Sequence, residues 1–97
     1  MKAYELLDSA SKWTQKAFAR DRVGEPVTVG DKRAVQWCIV GAVNLCYPDF
    51  SEWSKKTDKL RYELYSKMEI DRSLSSWNDD GERTYEEVYE LLKSNNV

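Results

Sequence analysis

Apolar positions recur at helical spacing over the first dozen residues: Ala3, Leu7 and Ala10, with Leu6 and Trp13 widening the stripe. This spacing predicts a helix from about Lys2 to Lys12, weakened at its end by Ser9 and Ser11. From Thr14 to Gly30 the pattern changes to an irregular arm. Ala17–Asp21 reads as extended, Arg22–Gly24 as a turn, and Pro26–Val29 as a second extended piece. Pro26 lacks an amide hydrogen, which limits that pair to an edge hairpin or a looped arm. Asp31 is placed to N-cap a central helix, apolar nearly all round from Ala34 to Cys46. In it Trp37, Gly41 and Asn44 would share one face, and Gly41 would admit a close neighbour. Pro48 stops this helix. Ser51 can cap the next, whose buried stripe is Trp53, Thr57, Leu60, Leu64 and Met68, with Lys55, Lys56, Lys59 and Arg61 facing water. Leu74 and Trp77 suggest a short helix or turn. Thr84 and Glu87 form a capping box for a last helix to about Lys93 that buries Val88, Leu91 and Leu92. The fold class expected is mainly α: one domain over residues 1–97, a small bundle of about four helices. An irregular arm or short β-hairpin joins the first two.

Composition narrows the chemistry. The 97 residues include no histidine, which removes the usual general base, the Ser-His and Cys-His dyads and most zinc sites. A net charge of −2 leaves no basic excess for nucleic-acid phosphates and is too mild for a DNA-mimicking surface. Four tryptophans and six tyrosines imply an aromatic core, and their polar tips suit recognition surfaces as well. Cys38 and Cys46, if on one helix, lie about 12 Å apart along its axis, too far for a disulfide. Buried thiols in a reducing, cytoplasmic compartment follow from that. The most hydrophobic run, Ala34–Tyr47, is too short for the roughly 20 residues of a membrane span. No metal and no cofactor is expected.

Three functional classes stay open. In the first, a non-catalytic module occupies a protein partner through aromatic anchors, with Trp53, Tyr62 and Tyr65 as partner-binding candidates. In the second, a small, nucleotide-like ligand is held where the arm meets the polar corner Trp77–Arg83. Its ligand-binding candidates are Trp13, Arg20, Asp21, Trp37, Trp77, Asn78, Asp79 and Arg83. Two arginines would grip a phosphate or carboxylate there, and a tryptophan would stack on a base. A structural cluster with Arg20–Asp79 or Arg83–Asp21 pairs is the competing reading of those residues. The third class, an enzyme, rests on Asp79 with Asp80 or Glu82 holding Mg²⁺, or on Cys38 as nucleophile. Adjacent carboxylates in a turn converge poorly, and an apolar setting would raise the Cys38 pKa.

The motifs Trp13-Thr14-Gln15-Lys16-Ala17-Phe18-Ala19-Arg20-Asp21, Gly24 with Pro26-Val27, Ala34-Val35-Gln36-Trp37-Cys38 with Gly41-Ala42, and Trp77-Asn78-Asp79 with Arg83-Thr84 and Glu87-Val88 stand in that order. In this the chain resembles a family of small uncharacterised domains from bacterial and bacteriophage genomes. The resemblance omits Tyr47–Ser73. Asp80-Gly81-Glu82 stands where the family pattern has Ala-Pro-Gly, which puts the shape of that turn in question. The resemblance implies no reaction and no catalytic residue. It implies a phage or mobile-element protein, and with the missing catalytic parts it puts first a phage-encoded inhibitor of a host enzyme or defence complex.

Overall fold

Thr84 and Glu87 do at the start of the last helix what their spacing predicts. The Thr84 hydroxyl accepts from the Glu87 amide at 3.2 Å, and the Glu87 carboxylate accepts from the Thr84 amide at 2.9 Å. The computed structural model, which describes residues 1–97, places this helix at Tyr85–Ser94. Val88, Leu91 and Leu92 recur on one face of it and are buried. Each contributes roughly 1.5–3 kcal/mol by leaving water.

In chain order the elements are α1 (Ala3–Leu6), a 3₁₀ turn (Ala10–Lys12), β1 (Ala19–Arg20), β2 (Gln36–Trp37), α2 (Ile39–Cys46), α3 (Phe50–Met68), α4 (Leu74–Asn78) and α5 (Tyr85–Ser94). The fold is mainly α, with five helices and one small antiparallel sheet. It is not a bundle of four comparable helices, because α1 and α4 are single turns of four and five residues. No helix is long and apolar enough to cross a membrane.

Only Ala3–Leu6 of the first predicted helix is α-helical. Leu7 leaves helical geometry, and Ser9 is extended before the 3₁₀ turn. Trp13 is thereby free to bridge Trp37 in parallel, with the Thr14 amide on the Trp37 carbonyl at 3.1 Å. Asp49 caps α3 in place of Ser51, its carboxylate accepting from the Glu52 amide. Thr57, Leu60 and Leu64 are buried as the stripe requires, whereas Met68 is 53% exposed at the end of the helix. Glu69 adopts left-handed geometry there, and its amide and that of Ile70 both return to the Leu64 carbonyl.

The central helix is shorter than its apolar run. It begins at Ile39, with Cys38 rather than Asp31 as N-cap. Asp31 instead closes a local turn by accepting from the Arg33 amide at 2.8 Å. A short apolar run is ambiguous between helix and strand, and here long-range pairing decides it. Gln36–Trp37 pair antiparallel with Arg20 and Ala19. Trp37 therefore shares no helical face with Gly41 and Asn44. Asn44 and Leu45 are exposed, so α2 is covered on one side only, by α1, α3 and α4.

The arm does fold back on itself. Arg20 bridges Pro26 antiparallel, and the Val27 amide donates to the Ala19 carbonyl. The sheet proper, however, joins the arm to the segment before α2. That crossing depends on Gly41. A Cβ there would collide with the Phe18 carbonyl oxygen, the same oxygen that accepts from the Cys38 amide.

Candidate functional site

The end of α4 is where the arm is fastened. Asn78 is fully buried, and its amide uses every hydrogen-bonding position it has. Its Oδ1 accepts from Trp13 Nε1 at 2.8 Å and from the Ile39 amide at 3.0 Å. Its Nδ2 donates to the Thr14 carbonyl at 3.1 Å and to Asp79 Oδ1 at 3.0 Å. One side chain thus ties the arm, the start of α2 and the end of α4. Gln15 adds a second tie, its Nε2 donating to the carbonyls of Asn78 and Asp80 at 2.8 and 2.7 Å. The first-turn amides of α2 are satisfied from outside the helix by Asn78 and from its cap by Cys38 Sγ, which accepts from the Gly41 amide at 3.3 Å.

The two arginines serve structure in different places. Arg20 donates to Thr14 Oγ1, the Gly24 carbonyl and the Gln15 carbonyl, holding the arm's own turn. Asp21 completes that turn by accepting from the Val23 and Glu25 amides. Arg83 lies over the Trp77 ring at 4.2 Å, donates to the Trp77 carbonyl and pairs with Glu87 at 3.1 Å. Arg83 and Trp77 line a separate 410 Å³ pocket against Met68, Ile70 and Leu91. The expected convergence of Arg20 with Arg83 does not form, and neither do Arg20–Asp79 or Arg83–Asp21 ion pairs. The Asn78 and Gln15 amides, with the Asp79 carboxylate on the Lys16 amide, fasten the arm in place of arginine ion pairs. Trp37 is buried with its Nε1 on the Val29 carbonyl at 3.2 Å.

Asp79 differs from all of these. Its Oδ1 accepts from Asn78 Nδ2 and from the Lys16 amide at 2.8 Å, while no donor of the chain reaches Oδ2. Lys16 is held in left-handed geometry, φ 65°, a conformation that costs a non-glycine residue free energy. Together they stand in an open cleft of about 1020 Å³ between the arm and the helical body. Asp79, Ser75, Asn44 and Cys38 form the body side; Lys16, Phe18 and Pro26–Asp31 form most of the arm side. Of the sequence-derived ligand candidates, only Asp79 lines it. Trp13 and Asn78 stand behind it as supports. Lys16, Ser75 and Thr28 were not among the sequence-derived ligand candidates. Asn44 was singled out in the sequence, though through a helical face shared with Trp37 that does not exist.

Burial pushes the Cys38 thiol above its ordinary pKa, and the nearby Asp79 carboxylate raises it further against the amides of Gly41 and Val40. Both Asp80 oxygens are engaged, Oδ1 by the Glu82 amide and Oδ2 by Arg72 at 3.0 Å. No group of three or more Cys, Asp or Glu side chains is arranged to hold a metal ion. On α3, Trp53 is half-buried against the core, whereas Tyr62 and Tyr65 are 69% and 62% exposed. The two tyrosines line a shallow groove of about 290 Å³ with Arg61, Ile70 and Arg72.

Residues 1–94 match the model of a family described as "Family of unknown function (DUF6197)". No curated protein and no solved structure matches the chain.

Proposed function

We propose, from the premise that the chain belongs to the DUF6197 family of unknown function, that it is a binding protein whose arm cleft holds a small polar ligand. The observation carrying this reading is Asp79. Its carboxylate is fixed through one oxygen by two donors, while the other oxygen stays unengaged at the wall of a 1020 Å³ cleft. A pre-oriented acceptor beside an open cavity binds a ligand donor without first paying to order itself. The Asn78 network supplies that order, and the strained Lys16 backbone is part of it. This reading assigns Cys38 no nucleophilic role, since burial raises its thiol pKa. Two free thiols suit a reducing compartment, which favours the cytoplasm.

A second reading keeps a protein partner, such as the host enzyme or defence complex that a phage product would inhibit. The exposed Tyr62 and Tyr65 favour it, because tyrosine flanked by arginine is the composition of interface anchors.

Native mass spectrometry of protein gently purified from its natural host separates the two. A discrete small added mass, absent from the Asp79→Asn variant, is the expected result. A stoichiometric protein companion, lost on Tyr62→Ala with Tyr65→Ala, supports the second reading instead. The bare chain mass alone contradicts both.

A further inference from the structure

The cleft is polarised, and the polarity specifies a ligand. On the arm side, the Lys16 ammonium has no carboxylate partner. The amides of Thr28, Val29 and Gly30 donate to no backbone acceptor. Arg33 lines the same side, with Nε and Nη2 on Asp31 and Nη1 unengaged. Asp31 neutralises Arg33 on this wall, so its one unpaired charge is the Lys16 ammonium, beside free backbone donors. The body side offers the unengaged Asp79 Oδ2, the Asn44 amide and the Ser75 hydroxyl, and neither Asn44 nor Ser75 uses its side chain within the chain. Such a set accepts from and donates to hydroxyl groups, as carboxylates do toward ribose diols. Phe18, 57% exposed, gives the cleft an apolar surface.

An anion-binding wall facing a hydroxyl-binding wall fits a phosphorylated sugar. Resting on the cleft reading above, we infer that the ligand is a sugar phosphate, free or as part of a nucleotide. Its phosphate lies toward Lys16 and its hydroxyls toward Asp79 and Ser75. A free amino acid offers the same pair of charges but no row of hydroxyls for Asp79, Asn44 and Ser75. At 1020 Å³ the cleft stands at the upper end of the roughly 300–1,000 Å³ range of ligand pockets.

The test is titration of the ¹⁵N-labelled full chain with ribose 5-phosphate, adenosine monophosphate, ribose, inorganic phosphate and glycine, following the amides of Lys16, Gly30 and Ser75. Ribose 5-phosphate is expected to shift all three and to bind tighter than ribose or phosphate alone. A further gain with adenosine monophosphate identifies the nucleotide form, and none identifies the free sugar phosphate. Asp79→Asn keeps an acceptor for Lys16 and Asn78, yet it weakens ribose 5-phosphate about tenfold without weakening inorganic phosphate. Ser75→Ala, which removes a hydroxyl with no partner in the chain, gives a smaller loss of the same kind. Lys16→Gln weakens both phosphates. Equal affinity for phosphate and ribose 5-phosphate, insensitive to Asp79→Asn, overturns the inference. So does a preference for glycine or ribose at the same amides, although the cleft reading then stands. If no compound moves these amides and the host-purified protein carries no added mass, the reading and the inference fall together.

Discussion

Asn78 and Asp79 are neighbours at the end of α4 and share a hydrogen bond, yet they are opposites in what they leave unused. Asn78 is fully buried, and all four of its hydrogen-bonding positions are taken by the chain. Asp79 is half-buried, with one oxygen held and the other unengaged at the cleft. Burial and saturation identify a brace, because a buried amide without partners costs about 1–3 kcal/mol per orphaned group. Partial exposure with a fixed but unfilled acceptor identifies a place where something else can bind. The polar corner is therefore two things, a fastening and a wall: Asn78 serves only the first, while Asp79 holds Lys16 through Oδ1 and turns Oδ2 to the cleft.

The sharpest way to break the comparison is to remove the fastening. Asn78→Ala strands the Trp13 indole, the Ile39 amide and the Thr14 carbonyl. It is expected to cost about 4 kcal/mol in urea unfolding, with loss of amide-exchange protection spreading along the arm. Gly41→Ala attacks the other point where the arm is seated. Its methyl meets the Phe18 carbonyl, and we expect a loss of about 3 kcal/mol, measured in the same way. A small effect there would mean that the arm can lift off α2 without consequence for the body.

Much of the helical body was legible in the sequence, and the arm was not, for a physical reason. Thr84 with Glu87, the Thr57–Leu60–Leu64 stripe and the Pro48 stop are local signals that read correctly, whereas the local cap signals at Asp31 and Ser51 lost to Cys38 and Asp49. Gln36–Trp37 became a strand because the partner Ala19–Arg20 lies sixteen or more residues earlier. No periodicity reports such pairing. The corner was recognisable from Trp77-Asn78-Asp79, but charge complementarity suggested arginine pairs where amides do the tying. Lys16 gave no warning at all, since left-handed backbone is ordinarily the province of glycine and asparagine.

Surface positions should sharpen the contrast by doing little. Tyr62→Ala with Tyr65→Ala is expected to change the unfolding free energy by no more than about 0.5 kcal/mol, read from the urea midpoint. A large loss would show that α3 depends on these rings.

The smallest expected effect is with pH. The Thr84 amide chiefly, with help from Arg83, holds the Glu87 carboxyl below its ordinary value of 4.5. The Glu82 amide and Arg72 do the same for Asp80 below 3.8. Both pKa values are depressed on folding. Their stabilisation is complete above the unfolded values and is lost as pH falls through the lower folded ones. Glu87→Gln should therefore narrow the stability difference between pH 7 and pH 3, an effect small enough to need paired melts at each pH.

The division between brace and wall is tested most directly by urea unfolding of Asn78→Ala and Asp79→Asn side by side. The account predicts about 4 kcal/mol for the first and about 1 kcal/mol or less for the second, because the substituted amide retains an oxygen for Lys16 and Asn78. Equal losses would contradict it and make Asp79 one more member of the fastening.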